Sequence, residues 1–321
     1  MAKSKTFPDL NGSAPAAEVV PLVLRTQVKA MSKLRHQALD WNDPEGVHAM
    51  RVCSRRLRSA MSDFRPYVRV RLPRVKLRSI ADALGAVRDQ DVALMALNEF
   101  SAQAKGEAAA GIQIIAGEFK ERRQEARAKL NTAIRRAVIN EFRDEFQAGL
   151  KQLKIALPKA SRPTGDAGAV TLRDLGRRII IERIKEVRDA GHHLYFPFHI
   201  KELHDLRILA KRLRYAAEMF SGCWEPNLHA CAKEISLLQT SLGELHDCDV
   251  WLEGLSARLK HLERKRNPDQ QDSRVRAGAI WLVRHFAAER MDHYRAALGR
   301  WQEWMTNDFL TKLESVVKAE Q

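Results

Sequence analysis

The chain has 321 residues, 45% of them hydrophobic, which allows one large or two moderate domains around an apolar core and excludes general disorder. Lysine and arginine outnumber aspartate and glutamate by 55 to 40, so the formal net charge is +15. An excess of this size favours polyanionic partners such as nucleic acid, an anionic membrane surface or a phosphate polymer, without choosing among them.

Two further features exclude other classes of protein. No stretch reaches the roughly 18 uninterrupted apolar residues of a membrane span, and residues 1–21 contain lysines but no apolar signal-peptide region. The cysteines form no C-x-x-C pair, and a chain of this length does not need disulfides for stability. We therefore expect a reduced cytoplasmic protein that is neither exported nor inserted in a membrane.

Turn-forming residues divide the chain into two halves. Residues 1–17 are rich in Ala, Pro, Ser and Gly and are predicted to form a flexible arm, with helical patterning from Glu18 onward. Prolines and glycines gather again in residues 158–169, which are predicted to link a first helical bundle half, 18–157, to a second, 170–321. A shorter polar break at residues 266–272 is predicted to separate two helices of the second half.

The composition of both halves predicts an all-α protein. Ala, Leu, Arg, Glu and Lys recur at spacings of three and four residues, whereas alternating β-branched runs bounded by hairpin dipeptides are absent. Prolines at positions 44, 66, 73, 197 and 226 fall where helix edges are expected, giving roughly five to six helices per half. Because each amphipathic helix must bury one face, we expect antiparallel bundles.

The two halves carry the same basic helix. Residues 47–58 recur 156 positions later as residues 203–214, and a second block, residues 84–92, recurs as residues 242–250. Advancing about 100° per residue along a helix places the basic side chains of each copy within a sector of about 80°. These stripes are His48, Arg51, Arg55 and Arg58 in the first copy, and His204, Arg207, Lys211 and Arg214 in the second.

The stripes differ from an ordinary solvated face. Like charges at i,i+3 and i,i+4 destabilise a helix, yet neither stripe contains an acidic residue. The apolar residues behind each stripe vary between the copies, whereas the positive charges keep their spacing, with Arg56 and Arg212 on the flank. Each stripe is about 15 Å long. Two facing stripes would suit a chain of closely spaced phosphates, which arginine can bind with two parallel hydrogen bonds.

The two blocks resemble the conserved-histidine α-helical domain family, called CHAD. The resemblance rests on His48-x-x-Arg51-x-x-x-Arg55-Arg56-Leu57-Arg58, on Leu84-Gly85-x-x-Arg88-Asp89-x-Asp91-Val92, and on their second copies, and it spans residues 20–318. It implies two pseudo-twofold-related antiparallel helical bundles with a basic central channel that binds inorganic polyphosphate. It also implies a cytoplasmic protein, often associated with polyphosphate granules, whose CHAD domain is not catalytic.

The resemblance also assigns the contacts. The two stripes become the predicted polyphosphate-binding residues, and Arg56 and Arg212 become supporting members. Weaker candidates from other basic rows are Arg71, Arg74, Arg78, Arg178 and Lys185. For these five, a solvated surface is an equal alternative.

The histidines and aspartates leave alternatives open. His48 and His204 could be pH-sensitive anion contacts, buried hydrogen-bonding groups or metal ligands, although neither has a Glu, Cys or His at i+3 or i+4. Paired carboxylates can hold Mg²⁺ for phosphoryl transfer. Because each pair follows a Leu-Gly turn signal, we favour a structural role instead, capping the next helix and orienting arginines. These aspartates are Asp89, Asp91, Asp247 and Asp249.

Three functions compete. The first is non-catalytic binding of long-chain polyphosphate for granule targeting or organisation, with no enzyme activity, cofactor or metal. The second is sequence-independent nucleic-acid binding, which the charge permits but which lacks interleaved aromatic residues and a helix-turn-helix or zinc-finger signature. The third is metal-dependent hydrolysis of polyphosphate or triphosphate, for which no Glu-x-Glu-x-Lys strand is present.

Overall fold

The computed structural model describes residues 11–156 and 170–319, and almost all of them are helical. The first half forms five helices: α1 Ala16–Lys33, α2 Pro44–Phe64, α3 Arg74–Gln103, α4 Gly106–Ala133 and α5 Arg136–Lys151. The second half, again counted within the described residues, also forms five: α6 Leu172–Ala190, α7 Ile200–Met219, α8 Asn227–Glu263, α9 Gln270–Thr306 and α10 Phe309–Lys318. The all-α prediction is confirmed, as is the polar break between α8 and α9.

Local signals set the starts of several helices. Pro44 occupies the first helical position of α2, where its missing N–H is not needed, and the Asp43 carboxylate accepts a 2.9 Å hydrogen bond from the backbone N–H of Glu45. A capping box between Thr171 and Asp174 begins α6. These caps fix the entry points of helices that pack around the candidate site.

The start of the first half contacts the start of the second. Helix α1 begins at Ala16, two residues before the predicted boundary, and the backbone N–H of Ala16 donates to the carbonyl of Val170 at 2.8 Å. Leu172 donates in turn to Ala14 at 2.9 Å. Residues 14–17 of the predicted arm are therefore paired or helical, whereas residues 1–10 and the predicted linker, 158–169, lie outside the described residues.

The two halves share one hydrophobic core. A single cluster of buried side chains takes members from helices of both halves, including Leu57 of α2 and Leu213 of α7, each fully buried. Two short antiparallel strands, β1 Val68–Arg69 and β2 Lys154–Ile155, add the only sheet among the described residues. Because the core crosses between the halves, they pack as one unit around the α2–α7 contact.

A second apolar cluster joins the long hairpins α3–α4 and α8–α9. Helices α4 and α9 meet there with their backbones in contact, since a Cβ on Gly278 would lie 2.7 Å from the carbonyl carbon of Gly111. Glycine at this crossing permits the close approach. Across the described ranges, no helix combines the length and the apolar character needed to cross a membrane.

Candidate polyanion-binding site

Helices α2 and α7 pack directly against each other through the apolar faces behind the basic stripes. The rings of Phe64 and Phe220 meet edge to face, with centroids 6.1 Å apart. Leu206, like Leu57 and Leu213, is fully buried. Because both helices bury the same side of the repeated motif, their basic stripes lie on a common side of the pair.

Cations from both stripes surround Lys211. Burial, together with the positive charges of Arg207, Arg55, Arg51 and Arg58, lowers the pKa of this lysine to about 8. Lys211 therefore lies close enough to interact electrostatically with arginines of its own helix and of α2. We call these five residues together with Arg214 the cationic cluster.

Tyr215 binds two arginines of the cluster. The Arg55 guanidinium lies 5.7 Å from the centroid of the tyrosine ring, and the Arg214 guanidinium lies 4.8 Å from it. Both distances suit cation–π attraction, which offsets part of the repulsion between the two cations. Tyr215 is buried and thereby holds one arginine from each helix in place.

Carboxylates neutralise the cluster only in part. Arg51 pairs with Asp89 at 3.5 Å, and Arg58 approaches Asp82 at 4.0 Å, both carboxylates being largely exposed. Exposed pairs of this kind contribute about 0–1 kcal/mol each. Arg214 pairs with Glu218 at 3.4 Å.

Other atoms of the cluster have no partner. Within the described chain, Lys211 forms no ion pair, and the buried Nε atoms of Arg55 and Arg207 have no hydrogen-bond partner. Unsatisfied buried donors are unfavourable, so an anion that accepts from them would relieve a cost. The cationic cluster is therefore preformed and only partly neutralised.

The histidines lie at the ends of the stripes and are held neutral. The pKa of His48 is lowered by burial and by the nearby Arg88, and its buried Nδ1 has no hydrogen-bond partner. His204 contacts His246 of α8, with their Nδ1 atoms 3.1 Å apart. Burial, with Arg207 next, lowers the pKa of His246 to about 4. A bound polyanion would favour protonation of all three.

The prediction that the four aspartates cap helices is wrong. Asp89 and Asp91 lie in the middle of α3, and Asp247 and Asp249 lie in the middle of α8. The Leu-Gly pairs are not turns, because Gly85 sits inside the helix, where an added Cβ would lie 3.8 Å from Nε of Arg51.

The predicted pairing with arginines is what the structure shows. Asp91 is buried 3.6 Å from Arg123 of α4, and Asp249 accepts a 2.6 Å hydrogen bond from Arg290 of α9. The other member of each pair lies on the cluster side, where Asp89 pairs with Arg51 and Asp247 lies near Arg207. Residues two apart point about 200° from each other on a helix, so neither pair can chelate one ion by itself.

The flanking arginines have partners of their own. Arg56 lies 3.8 Å from Glu218. Arg212 lies near the buried Asp63, whose Oδ1 accepts a 3.2 Å hydrogen bond from Arg183 of α6. Burial raises the pKa of Asp63 to about 6 despite these arginines. Both flanking residues thus support the α2–α7–α6 packing.

The weaker candidates divide into two groups. Arg78 is connected to the cluster because Asp82, 3.7 Å away, also approaches Arg58. The rest form no ion pair with the cluster among the residues that the structure describes. They lie at the start of α3 or just before it, and on α6: Arg71, Arg74, Arg178 and Lys185.

Sequence reasoning overlooked three residues of the site. Arg88 and His246 occupy corresponding positions in the two copies of the second block, each three residues after the glycine, so the internal comparison contained the signal. No such indication exists in the sequence for Tyr215. The corresponding position in the first copy is Ser59, and a repeat of basic residues does not indicate which aromatic ring the arginines will contact. Together these residues extend the site from α2 and α7 onto α3 and α8.

The structure shows an all-α fold in which two packed helices, α2 and α7, each carry one copy of a basic motif. The CHAD domain family matches residues 22–256. The chain therefore belongs to the CHAD family, and the resemblance stated from the motifs is confirmed.

Two curated relatives share sequence with most of this chain. The uncharacterized protein Rv2226 of Mycobacterium tuberculosis (strain ATCC 25618 / H37Rv) is 28% identical over 251 residues, 76% of this chain and 46% of that protein. The uncharacterized protein MT2285 of strain CDC 1551 / Oshkosh matches at the same 28% identity and the same coverage. The chain thus spans about half the length of these curated relatives.

Two solved structures share the fold. The CHAD domain of the plant Ricinus communis superposes with a TM-score of 0.65 at 19% identity, covering 97% of this chain and 94% of that one. PptA from Streptomyces chartreusis gives a TM-score of 0.62 at 17% identity, covering 90% of this chain and all of that one. At these identities the likeness establishes the architecture.

Proposed function

We propose that the cationic cluster binds long-chain inorganic polyphosphate without hydrolysing it, and that this binding targets the protein to polyphosphate granules in the cytoplasm. The observation that carries the proposal is the position of Lys211 among four arginines from two helices. Such a group is unfavourable in the free protein and is stabilised by a ligand that brings many negative charges at close spacing.

A linear phosphate polymer fits this arrangement better than a single phosphate. Successive cations on each stripe lie one helical turn apart, about 5–6 Å between Cβ atoms. A chain can contact Arg51, Arg55 and Arg207 in succession, and each contact makes the next one effectively intramolecular. Phosphate or pyrophosphate can neutralise only part of the cluster, so both should bind far more weakly.

The supporting roles follow from the contacts. Tyr215 keeps the guanidinium groups of Arg55 and Arg214 beside its ring, which limits the side-chain entropy lost on binding. Asp89 holds Arg51 while the site is empty, through an exposed pair that a stronger anion can displace. His48, His204 and His246 add charge when protonated.

A competition experiment tests the choice of polyanion. Fluorescent long-chain polyphosphate is bound to the protein, and unlabelled polyphosphate, tRNA or duplex DNA is added at equal phosphate concentration. We expect polyphosphate to displace the probe at far lower concentration than either nucleic acid. Equal displacement by tRNA or DNA would favour sequence-independent nucleic-acid binding instead.

A second experiment tests the granule assignment. A fluorescent fusion of the full chain is expressed in cells that accumulate polyphosphate, beside the same fusion carrying Arg55→Glu and Lys211→Glu. We expect the first fusion to collect at the granules and the second to be diffuse. A diffuse wild-type fusion that binds polyphosphate in vitro would overturn the targeting role and leave the binding intact.

A further inference from the structure

Three different potential metal ligands converge on the side of α8 that faces α9. The ligand atoms of Cys248 from α8 and of Glu289 and His293 from α9 all lie within 4.8 Å of one another. Glu289 and His293 are four residues apart and share one face of their helix. The thiol of Cys248 comes from the facing helix and is 97% buried, since its relative exposure is 3%.

Titratable side chains lie beside two of these groups. Oε2 of Glu244, one turn before Cys248 on α8, lies 3.1 Å from Nδ1 of His293. Oε1 of Glu289 lies 3.1 Å from Nε2 of His285. The Glu244 carboxylate lies beside Nδ1 of His293 and leaves Nε2 for an ion, and a carboxylate next to the second nitrogen is usual around metal-bound histidine. Each helix thus contributes one i,i+4 pair to this group of side chains: Glu244 and Cys248 from α8, and Glu289 and His293 from α9.

The electrostatic surroundings favour a cation at this spot. Burial, together with the negative charges of Glu289, Asp247 and Asp249, raises the pKa of the Cys248 thiol to about 12. Arg290 opposes them and is itself paired with Asp249 at 2.6 Å. The carboxylates that disfavour a thiolate in the empty site would attract a divalent ion, and the ion in turn stabilises the thiolate.

We propose that Cys248, Glu289 and His293 form a binding site for a thiophilic divalent ion, which the sulfur, nitrogen and oxygen donors identify as Zn²⁺. Zinc prefers four ligands of these types, whereas Mg²⁺ and Ca²⁺ prefer oxygen alone. Ligand atoms around tetrahedral zinc are roughly 3.3–3.8 Å apart, given the usual bond lengths. Because the three ligand atoms already lie within 4.8 Å of one another, binding would require them to approach by roughly 1 Å.

The site is separate from the cationic cluster. Asp247 and His246 point towards Arg207, on the α7 side of α8, whereas Cys248 faces α9. An ion here would join α8 to α9 where the second apolar cluster begins. Since polyphosphate itself binds divalent ions, the metal site is tested without it, and the outcome does not depend on the proposed function.

Cobalt titration provides the test. The purified chain is stripped with a chelator and titrated with Co²⁺, whose thiolate bond gives a charge-transfer absorption, and then with Zn²⁺ as competitor. We expect one equivalent to bind, the absorption to appear and Zn²⁺ to displace it. Cys248→Ser should abolish the absorption, and His293→Ala should weaken binding at least tenfold (roughly the effect of losing one ligand).

Cys231→Ser is the matched control, because Cys231 is a free cysteine on the same helix. It should leave the cobalt spectrum unchanged. If Cys248→Ser disturbs folding, which circular dichroism would reveal, the partly exposed His293→Ala carries the test. Absence of thiolate absorption in the wild type, or equal zinc binding by the wild type and His293→Ala, would overturn the proposal.

Discussion

The imidazole of His204 on α7 meets that of His246 on α8, with the two Nδ1 atoms 3.1 Å apart. Burial and the charge of Arg207 lower the pKa of both rings, that of His246 to about 4. Two adjacent imidazoles can share one hydrogen bond only while at least one of them is neutral. The end of the cationic cluster is therefore uncharged near pH 7 and can gain charge when an anion arrives.

Polyphosphate affinity should therefore rise as pH falls. The free histidines have lowered pKa values, and a bound polyanion raises them, so binding takes up protons and strengthens with acidity. We expect roughly tenfold tighter binding at pH 5.5 than at pH 8. Lys211, with its pKa of about 8, adds a further loss of affinity above that pH.

The pH dependence of affinity is measured with long polymer, because its terminal phosphates then contribute little to the total charge of the ligand. The triple variant His48→Gln, His204→Gln and His246→Gln should lose the acidic increase and retain the loss above pH 8. A flat wild-type profile between pH 5.5 and 8 would exclude the histidines as contacts.

Charge reversal at Arg55 and Lys211 tests the cluster itself. Arg55→Glu with Lys211→Glu removes two central cations and places two carboxylates beside Arg51 and Arg207. Since each charge-assisted hydrogen bond contributes about 1.5–3 kcal/mol, binding should weaken roughly 100-fold or more. Fluorescence anisotropy measures the affinity, and circular dichroism checks that helical content is retained.

The matched control is Lys129→Glu with Lys312→Glu, which changes net charge by the same amount at two exposed lysines outside the cluster. It should weaken binding only slightly. If both double variants weaken binding equally, net charge rather than the cluster is responsible.

Neutralising Lys211 should stabilise the ligand-free protein. In Lys211→Met a half-buried charge surrounded by arginines is replaced by an apolar chain of similar shape, so the free energy of unfolding at pH 7 should rise by roughly 1–3 kcal/mol. Polyphosphate binding should weaken in the same variant. A loss of stability would show that Lys211 has a compensating partner.

The same lysine gives the wild type a pH-dependent stability. Its folded pKa, about 8, lies below the ordinary value of 10.5, so the unfolded state binds more protons between these values. Stability contributed at this site therefore rises from about pH 8 to 10.5. Denaturant melts of wild type and Lys211→Met across this range isolate the effect as their difference.

Removing Asp89 should strengthen polyphosphate binding. The carboxylate is exposed and pairs with Arg51 at 3.5 Å, so it competes with the ligand. Asp89→Asn should tighten binding by roughly two- to fivefold, equivalent to an exposed ion pair. Asp292→Asn, at an exposed carboxylate on α9, should have no such effect. Weaker binding by Asp89→Asn, or Mg²⁺-dependent phosphate release that it abolishes, would indicate a metal-holding aspartate.

The sequence predicted the helices and the stripes because both follow from the helical period. In each copy, apolar residues such as Leu57 and Leu213 recur every three or four positions on one helix face, and cations recur at the same spacing on another. The duplication of this pattern made it easy to recognise. The helical period does not predict how the two copies contact each other. The approach of Arg51 to Lys211 depends on how α2 packs on α7, which involves tertiary contacts alone.

The sequence pattern around the aspartates led to a wrong prediction, and no sequence pattern indicated the proposed metal ligands. Gly85 suggested a turn, but a glycine inside a long packed helix loses only about 1 kcal/mol relative to alanine, which the tertiary contacts of α3 exceed. Cys248 and His293 are 45 positions apart on facing helices, so no short motif joins them. Only the pairing of α8 with α9 brings them together.

Calorimetric titration with polyphosphates of defined length, repeated at several salt concentrations, tests the central claim most directly. The cluster predicts that affinity rises with chain length until the polymer spans both stripes, falls steeply with salt because counterions are released, and exceeds that of pyrophosphate by orders of magnitude. Pyrophosphate that binds as tightly as the long polymer at equal phosphate concentration, or an affinity indifferent to salt, would contradict it.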